Sequence, residues 1–221
     1  MKVIISIGGS LAFKEEPDLV YMKKISSLIQ SLDAEFGFTV GGGKICREYV
    51  NLARELKESD EDLHMLGIEI THANARLFKA MFPRSRFFDT VDEAAVYMQQ
   101  GRGTPVLGGT VPGQTTDAVS AHLAEKVGAD RWINFSNVQG IYDKDPNKFK
   151  DAKLIPEMTH SKLIDLIGGA RSPSQNVIID AVAAEILARA NTDAHFIDGT
   201  DFDDAKNAIL GKPHKGTVVK D

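Results

Sequence analysis

The sequence predicts an α/β fold of three layers, α/β/α, built around a mostly parallel sheet. Two observations lead to this prediction. Short apolar segments alternate with segments of helical periodicity, and three of the apolar segments end in glycine loops. Such alternation indicates βαβ units, whose helices cover both faces of a parallel sheet. The glycine loops lie at residues 8–10, 41–43 and 108–110, and are called the first, second and third glycine loops below.

In the first half of the chain the elements follow one another with short connections. Strands are predicted at residues 3–7, 36–40, 86–88 and 105–107, and helices at 19–32, 44–56, 91–100 and from the acidic turn 59–62 to about 82. The helix at 44–56 begins directly after the second glycine loop, and its apolar residues recur at helical spacing. We expect these residues to face the core: Ile45, Tyr49, Leu52, Ala53 and Leu56.

In the second half a helix begins around residues 115–117 and ends at Gly128, since glycine is typical just after a helix. The further predictions are strands at 132–135 and 194–197, helices at 161–167, 177–190 and 202–210, a short extended piece at 154–155, a polar turn at 170–175, and a final edge strand at 216–219.

Composition narrows the class of protein. The chain has 221 residues, 43 % of them hydrophobic, and no linker of domain-separating length, so we expect a single domain over residues 1–221. A net charge of −5 with no basic run disfavours a nucleic-acid surface. Cys46 is the only cysteine, which fits a reducing cytoplasm and a small core residue. The apolar run at 3–7 is too short for a signal peptide or a membrane span.

The glycine loops predict where a ligand binds. Because loops after parallel strands gather on one edge of the sheet, all three should converge there, joined by the loop that begins at Ser136 and Asn137. Glycine lets the backbone approach an anion closely, and a following helix presents free N–H groups to it. Any one of these loops is also an ordinary strand-to-helix connection. Together they favour a site that holds several phosphates.

Two cations adjoin the second glycine loop. Lys44 and Arg47 are three residues apart at the start of a helix, so they share one face. Arginine binds phosphate through two parallel hydrogen bonds, and lysine supplies a mobile charge. The alternative is that both side chains are simply solvated.

Polar groups crowd the third glycine loop and the helix after it. Thr110, Thr115, Thr116 and Asp117 exceed what a helix cap requires, although capping alone explains Asp117 well. Further along, residues 143–146 form an Asp-x-Asp-Pro turn, which is either structural or a contact to ribose or magnesium.

Other chemistries find no support in the sequence. No glycine loop matches the P-loop or the dinucleotide spacing, and the protein-kinase motifs are absent. The histidines lack zinc-site spacing, and no Ser-His-Asp or paired-carboxylate arrangement can be argued.

Five segments carry a resemblance to a known family. They are SIGGSL at 6–11, VGGGKICREY at 40–49, LGIEITHANARL at 66–77, GGTVPGQTTDAVSAHLAE at 108–125 and SNVQGIYDKDP at 136–146. Asp180 within the predicted helix 177–190 and the closing GTVV at 216–219 also fit. In this collinear order the chain resembles the archaeal-type uridylate kinases of the amino-acid-kinase fold over nearly its whole length.

The resemblance implies ATP-dependent phosphorylation of UMP to UDP with magnesium, in a ring-shaped homo-oligomer, a hexamer. It places the acceptor mainly on the N-terminal part of the chain and ATP mainly on the C-terminal part. The implied ATP contacts are Gly9, Ser10, Gly43 and Arg47 at the phosphates and Ser136, Asn137, Tyr142 and Asp145 at the nucleoside. The implied UMP contacts are Gly42, Thr110, Val111, Pro112, Gly113, Gln114, Thr115 and Thr116. No residue is assigned as a metal ligand.

Two positions depart from the family pattern. His64 stands where the family usually has an aspartate that contacts the UMP ribose, so either His64 binds the ribose or Asp60 or Asp62 does so instead. Ser6 and Ile7 occupy a region where many members of the wider fold carry a lysine. Lys44 is then the lysine expected near the transferred phosphoryl group, and with Arg47 it forms the expected catalytic pair.

Two other functions remain open from the residues. One is a kinase of the same fold that acts on a carboxylate, a carbamate or an isoprenoid phosphate. The other is a nucleotide- or oxyanion-binding storage or regulatory protein without turnover. Phosphoryl transfer to UMP requires no general base, because the phosphate oxygen of UMP is already anionic. The absence of a nucleophile motif therefore fits the hypothesis of a uridylate kinase.

Overall fold

The structure, a computed structural model, describes residues 1–169 and 179–221. The elements of the first half are β1 Lys2–Ile7, α1 Gly9–Ala12, α2 Leu19–Gln30, β2 Glu35–Val40, α3 Gly43–Glu55, α4 Asp60–Lys79, β3 Ser85–Phe87, α5 Val91–Gln99 and β4 Thr104–Leu107. Those of the second half are α6 Thr116–Val127, β5 Arg131–Ser136, β6 Glu157–Met158, α7 His160–Gly169, α8 Ala181–Ala190, β7 Asp193–Asp198, α9 Phe202–Ile209 and β8 Thr217–Val219.

The strands of the described residues form one eight-stranded sheet in the order β3-β4-β2-β1-β5-β7-β8-β6. Neighbouring strands are parallel throughout except for β7 and β8, which pair antiparallel. The predicted α/β class with a mostly parallel sheet is therefore confirmed.

Helices cover both faces of this sheet, which confirms the three layers. Successive residues of a strand face opposite sides, so Ile5 packs with α2, α4 and α9 while Ile4 packs with α5, α6 and α8. Residues 3–5 and Ile7 of β1 are fully buried, as an interior parallel strand requires. That burial explains why this strand reads as a continuous apolar run.

Two predictions near the C-terminus are wrong. Strand β8 is not an edge strand, because the two-residue strand β6 pairs with it on the outer side. Residues 179 and 180 do not belong to the predicted helix 177–190, because the carboxylate of Asp180 accepts a hydrogen bond from the backbone N–H of Ala183 and caps helix α8, which begins at Ala181. Residues 177 and 178 lie outside the described residues. The polar turn predicted at 170–175 lies outside the described residues.

The prediction that one face of α3 belongs to the core is also wrong. Tyr49, Leu52 and Leu56 are 56 %, 59 % and 78 % exposed, and Gly43 is the only residue of α3 that is buried. Helix α3 packs on α4 and α1 rather than on the sheet. Helical periodicity identifies an apolar face but not what covers it. Within the described residues no helix is both long and apolar enough to cross a membrane.

Candidate active site

The loops that follow β4, β2, β1 and β5 lie side by side at one edge of the sheet. These strands are consecutive neighbours and run parallel, so their carboxyl ends meet there. The backbone N–H of Gly8 donates to the carbonyl oxygen of Phe135 at 2.8 Å, which joins the first glycine loop to the end of β5. The predicted convergence of the three glycine loops and the loop beginning at Ser136 is confirmed.

The first and second glycine loops touch through their backbones. A Cβ atom at Gly9 would lie 2.1 Å from the backbone nitrogen of Gly43 and 2.7 Å from the carbonyl carbon of Gly41. Gly43 itself has φ +70°, a region that side chains disfavour. Only glycine fits both positions, so the loops form one continuous backbone surface.

Helix α4 fixes the second and third glycine loops through side chains that the sequence reading did not assign. The amide of Asn74 donates to the carbonyl oxygens of Gly41 at 3.0 Å and Gly42 at 3.1 Å. The hydroxyl of Thr71 accepts from the N–H of Gly109 at 2.7 Å, and Nε2 of His72 lies 2.7 Å from the carbonyl oxygen of Gly109. The sequence did hold a signal for Thr71, His72 and Asn74, because all three belong to the segment 66–77 that carries the resemblance.

The N-terminus of α3 opens onto these loops without a side-chain cap. Its N-cap residue is Gly42, which has no side chain to satisfy the first N–H groups. Uncapped N–H groups and the helix dipole together favour an anion at this position. The same second glycine loop was predicted to bind phosphate.

The two predicted catalytic cations differ in their partners. Nη2 of Arg47 lies 3.4 Å from the hydroxyl of Ser10, so this exposed guanidinium faces the first glycine loop. Nζ of Lys44 pairs with Glu15 at 2.6 Å and with Glu48 at 3.7 Å. The hydrogen bond that Lys44 donates to the carboxylate of Glu15 is the main reason why the pKa of Lys44 is raised. Arg47 is therefore the less neutralised of the two.

A polar network lies beneath the first glycine loop. The hydroxyl of Ser6 donates to Oδ1 of Asp117 at 2.6 Å, and the amide of Asn134 donates to the same oxygen at 3.0 Å. Although Asp117 is partly exposed as a residue, its carboxyl group is enclosed, and this burial raises its pKa to about 6. Nearby Asp180 raises it further, whereas the bond from Ser6 opposes the rise.

The capping explanation for Asp117 is wrong. The hydroxyl of Thr115 caps α6 by accepting from the N–H of Ala118 at 3.2 Å. That hydroxyl also donates to the carboxylate of Asp180, so the caps of α6 and α8 are bonded to each other. The carboxyl group of Asp117 therefore does not cap the helix and is bonded to Ser6 and Asn134 instead.

A cavity of about 340 Å³ opens beside the second glycine loop, between α3, α4 and the segment after β4. We call it the α3–α4 cavity. Its lining residues are Gly42, Cys46, Val50, Arg54, Asp60, Leu63, His64, Gly67, Ile68, Thr71, Gly109, Val111, Pro112, Gly113, Gln114, Thr115 and Thr116. Every residue predicted to contact the acceptor is in this set except Thr110. Asp60 lines the cavity and Asp62 does not.

Cys46 is a lining residue rather than the core residue that the sequence suggested. It is half-buried, and a Cβ atom at Gly42 would lie 2.6 Å from its Sγ. Burial raises the pKa of its thiol, which stays neutral and behaves as a small apolar side chain. The sequence alone could not distinguish a helix face toward the cavity from one toward the core.

The residues predicted at the ATP nucleoside lie on the other side of β1. Asp145 is buried, and its Oδ1 accepts from the N–H of Asn147 at 2.9 Å. Ser136 bonds within its own turn, through the N–H and the carbonyl oxygen of Val138. Tyr142 forms an antiparallel bridge with Leu154, and Asn137 is exposed. The turn interpretation of Asp145 therefore holds, and its nucleotide contact stays a prediction.

Comparison with known proteins agrees with this geometry. The amino acid kinase family profile matches residues 1–198. This chain belongs to the amino acid kinase family. It is 37 % identical to a uridylate kinase of Methanobrevibacter smithii, over 99 % of this chain and 99 % of that one. It is 36 % identical to a uridylate kinase of Pyrococcus abyssi, over the full length of both.

Solved structures agree at the level of the backbone. The crystal structure of uridylate kinase from Archaeoglobus fulgidus superposes with a TM-score of 0.88 at 32 % identity, over 99 % of this chain and 100 % of that one. UMP kinase from Bacillus anthracis superposes with a TM-score of 0.82 at 21 % identity, over 100 % of this chain and 96 % of that one, and shows the shared fold. The family assignment thus rests on sequence and fold together.

Proposed function

We propose that this protein is a uridylate kinase, which transfers the γ-phosphoryl group of ATP to UMP and releases UDP and ADP. The observation that carries the proposal is the α3–α4 cavity, which ends at the uncapped N-terminus of α3 and at the glycine loops. A nucleotide in this cavity would present its phosphate to the loops. Full-length relatives named uridylate kinase support the same acceptor.

The reaction requires positioning and charge rather than covalent help. A phosphate oxygen of UMP attacks the γ-phosphorus in line while the bond to the ADP oxygen breaks, and the developing charge lies on the equatorial oxygens. Backbone N–H groups of the first and second glycine loops and the guanidinium of Arg47 stabilise that charge. Lys44 contributes once it leaves Glu15. No residue takes up a proton, because the attacking oxygen is already anionic.

The two substrates approach from opposite sides of the glycine loops. The acceptor occupies the α3–α4 cavity with Gly42, His64 and residues 110–116. ATP lies across Gly9, Ser10, Gly43 and Arg47 toward Ser136, Asn137, Tyr142 and Asp145. The N-terminal part of the chain thus forms the acceptor side and the C-terminal part the ATP side of one domain over residues 1–221.

Magnesium is expected to enter with ATP. Within the described residues no group of three or more His, Cys, Asp or Glu side chains is placed to hold a metal ion. Magnesium keeps several waters and is bound largely by substrate phosphates. When bound, it neutralises charge on the transferred group.

The protein is also proposed to act as a homo-oligomer in the cytoplasm, a hexamer by resemblance. The exposed apolar residues Tyr49, Leu52 and Leu56 line one face of α3, and apolar faces left exposed in a monomer mark contact surfaces. Light scattering at working concentration measures the mass of the assembly. A single-chain mass of 24.1 kDa would contradict this part of the proposal.

The activity is tested by coupled ADP release from ATP and magnesium with a panel of acceptors. We expect turnover with UMP well above turnover with CMP, AMP and GMP. Turnover with an amino acid, a carbamate or an isoprenoid phosphate instead of UMP would assign a different kinase of the fold. Binding of ATP without any turnover would assign a storage or regulatory protein.

A further inference from the structure

The third glycine loop lies at one end of the α3–α4 cavity. Thr71 and Gly109 line the end where the glycine loops meet, which we call the phosphate end, whereas Arg54 and Asp60 line the opposite, outer end. His72 follows Thr71 on α4 but does not belong to the described residues that line the cavity. Its side chain therefore contacts the loop from outside the cavity.

Helix α4 holds two consecutive peptide units of this loop. The hydroxyl of Thr71 accepts from the N–H of Gly109 at 2.7 Å, and Nε2 of His72 lies 2.7 Å from the carbonyl oxygen of Gly109. Because a carbonyl oxygen only accepts, Nε2 carries the hydrogen and donates it. A Cβ atom at Gly108 would lie 2.6 Å from Oγ1 of Thr71 and 2.9 Å from Cδ2 of His72, so the helix and the loop are in direct contact.

The bond to His72 determines which backbone group of the loop faces the acceptor. The peptide bond between Gly109 and Thr110 is trans, so its C=O and N–H point in opposite directions. With the carbonyl oxygen directed to His72, the N–H of Thr110 is directed away from it. The reverse orientation would turn a carbonyl oxygen toward an anionic acceptor. Glycine at position 109 offers little resistance to such a rotation, because it has no side chain.

The imidazole ring of His72 is held in turn by its neighbours. It packs edge-on against Phe87 with ring centroids 5.1 Å apart, and the guanidinium of Arg76 lies 3.9 Å from the centroid of Phe87. Nδ1 of His72 lies 3.8 Å from Oδ1 of Asp89. A protonated ring pairs with Asp89 and still donates from Nε2, since both nitrogens then carry hydrogen. The bond to Gly109 is therefore kept in either protonation state.

We propose that His72 is a positioning residue for the acceptor, which holds the carbonyl group of Gly109 away from the cavity and leaves the N–H of Thr110 to the oxygens of UMP. This rests on the proposed function. His72 acts through the loop and does not touch the substrate itself. Because ATP is proposed to lie across the first and second glycine loops, a wrongly turned third loop should weaken the binding of UMP and not that of ATP.

The test is steady-state kinetics of His72→Phe and His72→Gln with UMP and ATP varied in turn, together with Tm. Phenylalanine keeps a ring against Phe87 but has no donor, whereas glutamine keeps an N–H donor. We expect His72→Phe to raise KM for UMP roughly tenfold, about one hydrogen bond, with KM for ATP unchanged. His72→Gln should recover most of the loss. His122→Phe is the matched control, since His122 lies on α6 outside the α3–α4 cavity, and both KM values should stay at wild type.

A wild-type KM for UMP in folded His72→Phe would overturn the proposal. So would a loss confined to kcat with both KM values unchanged, because a purely structural defect lowers the amount of active protein. His72→Gln behaving like His72→Phe would also overturn it, because the donor would then be irrelevant. If His72→Phe does not fold, His72→Ala replaces it with the same expected rise in KM, since alanine adds no atoms. Failure of the proposed function is separate, since wild-type protein would then show no UMP-dependent ADP release.

Discussion

The acceptor side and the ATP side of the site are built differently. In the α3–α4 cavity the polar side chains at the outer end, Arg54, Asp60 and His64, have no ion-pair partner among the described residues. Around residues 136–145 the polar groups of Ser136, Asp143 and Asp145 are already bonded within the loop. Substitutions on the acceptor side should therefore change kinetics, whereas those on the ATP side should also change stability.

The largest kinetic effect is expected at the junction of the two sides. Arg47→Ala should lower kcat/KM for UMP by about 10²–10³, the scale of losing one donor to developing charge. Lys44→Ala should lower kcat/KM for UMP in the same range. A smaller loss would mean that the ion pair between Lys44 and Glu15 stays closed during the reaction. Arg102→Ala, an exposed arginine outside the α3–α4 cavity, is the control. Normal rates in both variants would show that Lys44 and Arg47 are simply solvated side chains.

Asp145→Ala tests whether the ATP side is structural. It removes a buried carboxylate that accepts from the N–H of Asn147, and the unpaired donor should cost about 1–3 kcal/mol of the free energy of unfolding. For a chain of this size that lowers Tm by several degrees, at roughly 2–4 °C per kcal/mol. Asp145→Asn keeps the acceptor oxygen and should recover most of the loss. Wild-type Tm with reduced ATP affinity would instead make Asp145 a nucleotide contact alone.

Much of this architecture could be predicted from the sequence, and the exceptions have physical reasons. The buried strands were predicted because parallel strands covered on both faces read as apolar runs. Strand β6 was not, because two residues carry no periodicity. The exposure of Tyr49 and Leu52 was missed because periodicity is the same whether a helix face meets its own core or another surface. Thr71 and Asn74 read as an ordinary polar helix face until the N–H and carbonyl groups of the glycine loops are placed beside them.

The raised pKa of Asp117 predicts that the free energy of unfolding depends on pH. Because Asp117 lies beneath the glycine loops, this effect belongs to neither the acceptor side nor the ATP side alone. Its pKa rises from 3.8 to about 6 on folding, so the protonated carboxyl is favoured in the folded state. This contribution to stability is complete below about pH 4 and is lost as pH rises through about 6. Asp117→Asn cannot ionise and keeps an acceptor for Ser6 and Asn134. Relative to wild type it should gain up to about 3 kcal/mol between pH 4 and 7, at 1.36 kcal/mol per unit.

Denaturant unfolding of both proteins at about pH 4 and about pH 7, on either side of the window set by the two pKa values, measures this difference. An equal stability difference at both pH values would show that the carboxyl is not enclosed in solution.

The smallest effect, about tenfold, separates the two ends of the acceptor. His64 follows Asp60 by one helical turn and lines the same cavity nearer to the phosphate end, where a ribose would lie. A neutral imidazole offers one donor and one acceptor, which suits a vicinal diol, whereas an aspartate only accepts. His64→Leu should raise KM for UMP roughly tenfold, about one hydrogen bond, with little change in kcat. His64→Asp should retain activity.

Because Asp62 does not line the cavity, Asp62→Ala should leave KM unchanged. If instead Asp62→Ala raises KM and His64→Leu does not, the ribose contact has moved to Asp62. If His64→Leu lowers the UMP to CMP ratio of kcat/KM rather than the UMP to 2′-deoxy-UMP ratio, the base rather than the ribose lies at this turn of α4.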